Sequence, residues 1–439
     1  MIRTALTVLA ALAAFTLPAR AEINIKEITT PGGIEAWLVE EHAIPFIALE
    51  LKFRGGAGLD TPDKLGMVHL MTVLLEEGAG DRDAREFAKA RDTLASSISF
   101  SVDHDTISVS TRFLTENTEE TMALLRDALT APQFNDEALE RVRAQVLSVL
   151  QSDLKDPEEL ANLYYYRDIF GDHPYAFPMN GTLETVAALT RDDLVGALEK
   201  AITRDRVYVG AVGDITAEEL STLLDNLLEG LPESGPDLPQ MAEPDLPGGV
   251  RVYEFETPQS VVRFAQPGID RDHPDFFAAY VLNHILGGGG FESRLMSEVR
   301  EKRGLTYGVY SYLSIPDYAN LWAGGTASAN DRVAETIRVI REEWTRMRDE
   351  GVTEEELRDA QTYLTGAYPL RFDGNGPIAR IAVSMQLDDL PTDYIRTRND
   401  KVNAVTLEQI NRVARERLDP DKLTFFVVGQ PEGLDTTTQ

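Results

Sequence analysis

The sequence predicts an α+β protein built from two homologous halves that a proline-rich linker joins. Helical and strand-like segments mix along its 439 residues, a length that exceeds the usual size of one hydrophobic core. Residues 405–407 and the strand-like stretch 423–429 repeat residues 189–191 and 207–213 at an offset of about 216 residues. Between these repeats, residues 229–249 hold five prolines, which preclude a regular element.

A second repeat supports this division. Thr353 opens an acidic phrase that echoes the phrase opened by Asn135, and a long helix is predicted after each. We therefore divide the chain into four segments: a signal peptide (1–21), an N-terminal half (22–228), the linker (229–249) and a C-terminal half (250–439).

The first residues are organised as a secretory signal peptide. Arg3 makes the start positive, residues 5–17 form an apolar core too short to span a bilayer, and residues 19–21 (Ala-Arg-Ala) form a cleavage site. Cleavage after Ala21, together with the absence of cysteine, predicts an exported, periplasmic protein without disulfides. No later run is apolar enough to predict a membrane anchor.

The formal net charge of −31 argues against nucleic acids and anionic membranes as partners, because both require basic surfaces. Solubility alone explains such acidity. Attraction of basic peptides is the alternative explanation.

The N-terminal half is predicted to begin with strands and to continue mainly with helices. Residues 27–38 and 44–53 have strand character, and we expect them to pair as a ribbon that turns around residues 40–42. Helical spacing predicts a helix over 67–77 that ends at Gly78. The remaining predictions are helices over 84–94, 117–130, 136–154, from Pro157 and over 190–201, and strands within 98–113 and over 207–212.

The C-terminal half contains the most informative stretch, residues 287–312. It opens with four consecutive glycines, Gly287, Gly288, Gly289 and Gly290. A short helix is predicted over 293–303, Gly304 closes it, and residues 306–312 alternate as a strand. Arg300 and Tyr307 could therefore converge as two hydrogen-bond donors beside a glycine-rich loop. The alternative is a surface arginine and a strand tyrosine without a special role.

This stretch resembles the C-terminal signature of the insulinase, pitrilysin and mitochondrial processing peptidase family, G-G-G-x-x-S-R-L-x-x-x-[VL]-R-E-x-x-G-L-x-Y. Arg300 and Tyr307 fall on the Arg and Tyr that grip the scissile carbonyl in that family. The resemblance extends over nearly the whole mature chain and implies two α/β-sandwich halves, which form half of a clamshell when paired with a partner. For the four glycines it implies a flexible loop that helps to present substrate; a helix-terminating turn is the alternative.

The same resemblance implies a zinc site that this chain has lost. The family carries H-x-x-E-H on a helix of the N-terminal half and a third ligand, a Glu, about 76 residues further on. Here the motif begins with His69, but Thr72 replaces the general base and Val73 replaces the second ligand. The position of the third ligand holds Val149. We expect no metal in this chain and interpret His69 as an ordinary helix residue that could hydrogen-bond Glu76.

A chain that retains the Arg/Tyr pair but has lost the zinc site resembles the non-catalytic subunit of the family's heterodimers. We therefore predict a substrate-binding subunit that is inactive alone and has no cofactor of its own. Its expected partner is a homologous H-x-x-E-H subunit that carries zinc, and a homodimer is the alternative when the partner is absent. Arg300 and Tyr307 would grip the carbonyl of a peptide or an unfolded segment. The rival prediction is a non-enzymatic peptide-binding or structural assembly subunit of the same fold, whereas Val73 and Val149 disfavour a self-sufficient peptidase.

Overall fold

The computed structural model of the chain describes residues 23–434. The predicted signal peptide, residues 1–21, lies outside the described residues, so export stays a prediction. The described residues form two mixed sheets, each covered by helices, and a short two-stranded ribbon. The predicted α+β class with two homologous halves is confirmed.

The N-terminal half contains eight strands and eight α-helices among its described residues. The strands are β1 (Lys26–Thr29), β2 (Glu35–Glu40), β3 (Phe46–Arg54), β4 (Gly78–Ala79), β5 (Arg82–Asp83), β6 (Ser97–Val102), β7 (Thr106–Leu114) and β8 (Val207–Gly213). The helices are α1 (Met67–Leu74), α2 (Ala84–Thr93), α3 (Thr118–Thr130), α4 (Asp136–Asp153), α5 (Pro157–Phe170), α6 (Leu183–Ala188), α7 (Arg191–Ala201) and α8 (Ala217–Leu228).

The C-terminal half contains five strands and six α-helices in the part that the structure describes. The strands are β9 (Gly249–Glu254), β10 (Gln259–Pro267), β11 (Thr306–Ser314), β12 (Leu321–Ala329) and β13 (Thr424–Gly429). The α-helices are α9 (Phe276–Asn283), α10 (Val333–Glu350), α11 (Glu354–Ala367), α12 (Asn375–Leu387), α13 (Tyr394–Asn403) and α14 (Leu407–Arg417). Two π-helical turns, His284–Gly288 and Met296–Glu301, follow α9.

The two sheets have the same strand order. It is β1-β2-β8-β3-β7-β6 in the N-terminal half and β9-β13-β10-β12-β11 in the C-terminal half. In each sheet an early strand pairs in parallel with the last strand of the half, β2 with β8 and β9 with β13. The other pairs are antiparallel. The sequence repeat is therefore also a repeat of sheet topology. The N-terminal sheet differs only in one additional edge strand, β1.

The predicted ribbon of residues 27–38 and 44–53 is wrong. β2 pairs with β1, and β8 lies between β2 and β3. Alternation along the chain indicates that a segment is a strand but not which strand lies beside it. Because β8 comes more than 150 residues after β2, only the folded sheet reveals the insertion.

Each half covers its sheet with one large core on one face. In the N-terminal half, α1, α3, α4, α7 and α8 pack on that face, and in the C-terminal half α9, α10, α11 and α14 do so. The helix ends are set locally. For example, Asp83 and Glu86 form a capping box on α2, and Thr353 and Glu356 form one on α11.

The opposite face of each sheet is covered by a helix from the other half. α5 packs on β10 and β13, where Leu160 and Ala161 meet Val261 and Val428. α12 packs on β3 and β8, where Ala379 meets Ala48 and Val212. Gln386 of α12 donates a hydrogen bond to the Val209 carbonyl (2.8 Å). The halves thus exchange helices, and neither sheet is covered by its own half alone.

The linker contains no helix or strand over residues 229–248, all of which are described. Its backbone is anchored to both halves: the Asp245 N–H donates to the Ile169 carbonyl and the Ala242 N–H to the Tyr318 carbonyl, each at 2.8 Å. The proposed segment limits remain a division of the sequence. They do not separate independent structural units, because α5 and α12 each pack on the sheet of the other half. No helix within residues 23–434 is long and apolar enough to cross a membrane.

Candidate functional site

The helix of the predicted zinc motif, α1, starts at a buried carboxyl group. Asp60 accepts hydrogen bonds from the backbone N–H of Gly66 (2.7 Å) and of Val68 (3.0 Å). Gly66 has φ 83°, and a Cβ atom there would lie 2.7 Å from the Asn180 carbonyl oxygen. Both the backbone conformation and the close approach require glycine at this helix start.

His69 lies half-buried on α1, and its Nδ1 atom has no hydrogen-bond partner within residues 23–434. Burial lowers the pKa of His69, so the ring is neutral at pH 7. The predicted hydrogen bond to Glu76 is wrong, because within residues 23–434 none joins His69 to Glu76; the Glu76 carboxylate instead accepts from Arg91 Nη1 at 3.0 Å. Arg91 reaches Glu76 from α2, a contact that helical spacing along α1 does not reveal.

At the other zinc positions of the resemblance, the two valines carry no donor atom, and the Thr72 hydroxyl is bonded within its own helix. Thr72 is buried and donates to the Val68 carbonyl (2.8 Å), while Val73 on α1 is 40% exposed and Val149 on α4 is 52% exposed. Zinc sites in proteins use three or four nitrogen, sulfur or oxygen donors. Over the described residues, no group of three His, Cys, Asp or Glu side chains is placed to hold a metal ion. The side chains at these positions do not fit zinc.

The four glycines end one π-helical turn and precede another. His284–Gly288 continues α9, Met296–Glu301 follows after a 3-10 turn at Gly290–Glu292, and the predicted helix over 293–303 is largely π-helical. Gly304 ends that helix as predicted: its φ is 63°, and its N–H donates to the Arg300 carbonyl (2.8 Å). π-helical turns are rare and are frequent at functional sites.

The first glycine of the run is packed against β11. A Cβ atom at Gly287 would lie 2.7 Å from the Ser311 backbone nitrogen. Beside it, Asn283 accepts hydrogen bonds from Ser311 Oγ and Trp322 Nε1, both at 2.8 Å. Gly288 belongs to the same π turn, and Gly289 leads into the next turn. Gly287 is therefore packed as part of a helix end, whereas Gly288 and Gly290 are exposed; a role of the run in presenting substrate stays a prediction.

Arg300 lies on an aromatic ring that the sequence analysis did not single out. Its guanidinium carbon is 4.4 Å from the centroid of Phe291, which is 61% exposed and directly follows the glycines. Across the described residues, the Arg300 side chain has no ion pair or hydrogen bond, although the chain carries 73 acidic residues. Its donors are therefore available to a ligand.

Tyr307 is directed outward by a β-bulge. Tyr307 and Gly308 of β11 together stand opposite the single residue Ala327 of β12. Thr326 Oγ1 donates to the Gly308 carbonyl (2.8 Å), which fixes the bulge. The extra residue leaves the Tyr307 side chain 86% exposed. Bulges commonly direct a side chain in this way next to functional sites.

A groove of about 230 Å³ lies beside Tyr307. Arg263 forms part of its wall and is held by two side chains of α5: Asn162 Oδ1 accepts from its Nε at 2.9 Å, and Glu158 forms an ion pair with it. Arg300 is not among the lining residues, so the predicted pair does not share this groove. We call it the Tyr307 groove; its lining is Glu158, Gln259, Arg263, Thr306, Tyr307, Gly308, Tyr310, Thr326 and Ala327.

Sequence reasoning singled out Arg300 and Tyr307, whose role stays a prediction, and it missed Phe291, Tyr310 and the Arg263–Glu158 ion pair. A signal existed for Tyr310, since Tyr310 and Tyr312 are two residues apart on a strand and must share a face. No local signal could pair Arg263 with Glu158, because the contact depends on the exchanged helix.

The fold and site together define a class of protein: a duplicated α+β chain that presents an arginine and a tyrosine from its second half and has valines, Val73 and Val149, at the two missing ligand positions of the resemblance in its first. Two family models match it, "Insulinase (Peptidase family M16)" over residues 37–183 and "Peptidase M16 inactive domain" over residues 188–364. The chain belongs to the M16 (insulinase) peptidase family.

Relatives align over nearly the full length. A "Non-peptidase homolog YmxG" of Helicobacter pylori is 27% identical, with 89% of this chain and 90% of the relative covered. An "Uncharacterized zinc protease YmxG" of Bacillus subtilis is 24% identical, with 90% and 96% covered. The solved peptidase M16 inactive domain from Pseudomonas fluorescens superposes with a TM-score of 0.87 at 28% identity, covering 95% of this chain and all of that one.

Proposed function

We propose that this chain is the substrate-binding, non-catalytic subunit of an exported heterodimeric zinc metallopeptidase. The observation that carries the proposal is the state of Arg300 and Tyr307. The arginine has no carboxylate partner among the described residues, and the bulge presents the tyrosine to solvent. Both donors are thus available, whereas the zinc positions hold Thr72, Val73 and Val149.

In this proposal, Arg300 and Tyr307 donate hydrogen bonds to the scissile carbonyl of a peptide or an unfolded segment. The same bonds stabilise the negative charge that develops on that oxygen in the transition state. The zinc, its ligands and the general base belong to a homologous H-x-x-E-H subunit. The chain alone is expected to be inactive and periplasmic, and to bind peptide without cutting it.

The test combines this chain with a co-purified H-x-x-E-H partner and measures hydrolysis of an unfolded substrate. We expect activity only in the mixture, and a loss on the order of 10²–10³-fold in turnover for Arg300→Ala or Tyr307→Phe. Arg358→Ala, an exposed arginine on α11, is the matched control and should leave activity unchanged. Full activity of both site variants in the mixture would refute the proposed role.

The alternative is a peptide-binding or structural subunit without enzymatic function. The observation that favours it is the H. pylori relative, which aligns over 89% of this chain and is named a non-peptidase homolog. Stable assembly with the partner, or a homodimer in its absence, without hydrolysis under any condition would select this alternative.

A further inference from the structure

Another pocket, separate from Arg300 and Tyr307, lies among the helices of the C-terminal half. Its volume is about 430 Å³, within the 300–1,000 Å³ range of pockets for small molecules. The loop before α9, the start of α9, α13 and the start of α14 line it. None of its lining residues belongs to the Tyr307 groove, to the glycine run or to the zinc positions of the resemblance. We call it the α13 pocket.

Three aromatic rings give the α13 pocket an apolar wall. Phe276 and Phe277 open α9, and their rings meet edge to face with centroids 5.4 Å apart. Tyr394, the first residue of α13, has its ring centroid 6.5 Å from that of Phe277. Leu390 and Val405 add aliphatic surface to the same lining. The wall therefore suits a ligand with an apolar, ring-shaped body.

Lys401 of α13 supplies a positive charge that no carboxylate within residues 23–434 neutralises. Its ammonium nitrogen lies 5.2 Å from the ring centroid of Tyr394 and 5.7 Å from that of Phe277. The exposed side chain makes no ion pair or hydrogen bond in this part of the chain. An ammonium group held over aromatic faces keeps its three N–H donors, so the ligand that satisfies them carries acceptors and a negative charge.

Arg271 brings a second cation to the lining. Its guanidinium carbon lies 5.4 Å from the ring centroid of Phe276, and its Nη2 forms an ion pair with Asp388 Oδ2 (3.2 Å). Most of its five N–H donors have no partner among the described residues. The lining thus contains two cations, Arg271 and Lys401, and one carboxylate, Asp272. This balance favours a singly charged anion over a phosphate ester.

The formal charge of −31 does not prevent an anion from binding here. Charges beyond the Debye length, about 8 Å at physiological ionic strength, are largely screened by salt. Two carboxylates beside the pocket are held by arginines: Asp388 by Arg271, and Asp275 by Arg412 Nη2 at 2.5 Å. Asp272 is exposed, so water screens its charge.

We propose that the α13 pocket binds an aromatic carboxylate, with the carboxylate on Lys401 and the ring against Phe277 and Tyr394. Two sources carry this group: a free aromatic acid, and a peptide whose last residue is phenylalanine or tyrosine. Both present the same chemistry to the pocket. The proposal is independent of the peptidase-subunit role, because it uses no residue of that site.

The test is isothermal titration calorimetry of the full chain with 3-phenylpropionate, its neutral match 3-phenylpropanamide, butanoate, which lacks the ring, and phenyl phosphate. A lost hydrogen bond to a charged group costs about tenfold or more in affinity, so the acid should bind at least about tenfold tighter than the amide. Butanoate should bind more weakly by a similar factor, because it buries no ring. Equal binding of acid and amide, equal binding of butanoate, no binding of the acid, or tighter binding of phenyl phosphate would each overturn the proposal.

A peptide pair separates the two sources. Gly-Gly-Phe ends in a free carboxylate, and its C-terminal amide does not. If the ligand is a peptide terminus, Gly-Gly-Phe should bind tighter than 3-phenylpropionate. If it is a free acid, 3-phenylpropionate should bind and Gly-Gly-Phe should not. Either result supports an aromatic carboxylate, whereas equal affinity of the free and the amidated peptide would contradict it.

Variants locate the binding. Lys401→Met keeps an unbranched apolar side chain over the rings and removes the charge, so it should abolish the preference for acid over amide, and Lys401→Arg should retain that preference. Phe277→Leu removes a ring and should weaken the binding of both ligands. Lys89→Met is the matched control, because Lys89 is an exposed lysine on α2, outside the pocket. An unchanged preference in Lys401→Met would place the anion elsewhere and refute the assignment.

Discussion

At the residue scale, Phe291 determines where the Arg300 guanidinium lies. A cation over an aromatic face is stabilised by about 0.5–1 kcal/mol at an exposed site. Within residues 23–434, this contact is the one that orients the side chain, since no carboxylate competes for it. Phe291 is thus a positioning residue for the predicted carbonyl-binding arginine.

Replacing Phe291 by alanine should release Arg300 and reduce kcat/KM of the complex with the partner about two- to fivefold, which is the cation–π energy expressed as a rate. Phe291→Trp should restore the value, because the indole face binds cations best, whereas Phe291→Leu should not. In an Arg300→Ala background, Phe291→Ala should have no further effect. An equal loss in that background would show that Phe291 acts independently of Arg300.

Residue identity alone is sufficient to predict the lost zinc site, because Val73 and Val149 offer no donor atom whatever the fold. It was not sufficient for Glu76 or Phe291. Glu76 contacts Arg91, and Phe291 contacts Arg300. Both contacts depend on how neighbouring turns pack, which the pattern of residues along the sequence does not reveal.

At the element scale, the start of α1 depends on the carboxyl group of Asp60, which is buried although it can carry a charge. Asp60 accepts hydrogen bonds from the first amides of the helix, which favours the ionised form, but burial dominates and raises its pKa from 3.8 to about 7. The folded state therefore binds a proton that the unfolded state releases above pH 4. The stability linked to this proton is fully present below pH 4 and is lost as the pH rises through about 7.

Asp60→Asn should flatten the pH dependence of unfolding. Asparagine keeps an acceptor oxygen and cannot ionise, so the free energy of unfolding of the variant should fall less steeply between pH 4.5 and 8. Urea denaturation at a series of pH values measures this slope. Asp63→Asn is the control from the same loop, because its carboxyl is exposed and the Thr61 hydrogen bond lowers its pKa, so it stays ionised throughout this pH range. Equal slopes for Asp60→Asn and the unsubstituted chain would contradict the assignment.

Most elements were predictable because their signals are local. Apolar spacing and caps located α2, α3, α4 and α7 to within a residue or two of their observed ends. The π-helical turns at the glycines were not predictable, since their hydrogen bonds reach one residue further than those of an α-helix and leave no mark in the apolar spacing of the sequence.

At the scale of the whole molecule, the exchange of α5 and α12 makes the halves mutually dependent. Removing either helix would expose an apolar sheet face that includes Val261 and Val428, or Ala48 and Val212. An ion pair between Arg54 Nε and Asp317 Oδ2 (2.9 Å) adds a polar contact between the halves. The molecule should therefore unfold as one unit, and the linker should not be needed once folding is complete.

Cutting the linker tests this expectation. With a protease site inserted at Met241, which is exposed, the two fragments should co-elute after cleavage and unfold in a single transition. Ala379→Asp would bury a charge where α12 meets Ala48 and Val212, and the cut fragments of that variant should separate. Separation of the fragments without that substitution would mean that the exchanged helices do not hold the halves together.

The sequence by itself determined the duplication and the positions of most helices and strands. It also singled out Arg300 and Tyr307 as the residues to examine, and Val73 and Val149 as the basis for predicting a lost zinc site. These depend on identity and periodicity along the chain. Only the tertiary structure decided that β8 separates β2 from β3, that helices cross between halves, that a bulge opens the Tyr307 groove and that Phe291 holds Arg300. Each of these is a contact between distant segments, and its energy comes from burial and pairing that exist only after the chain has closed those distances.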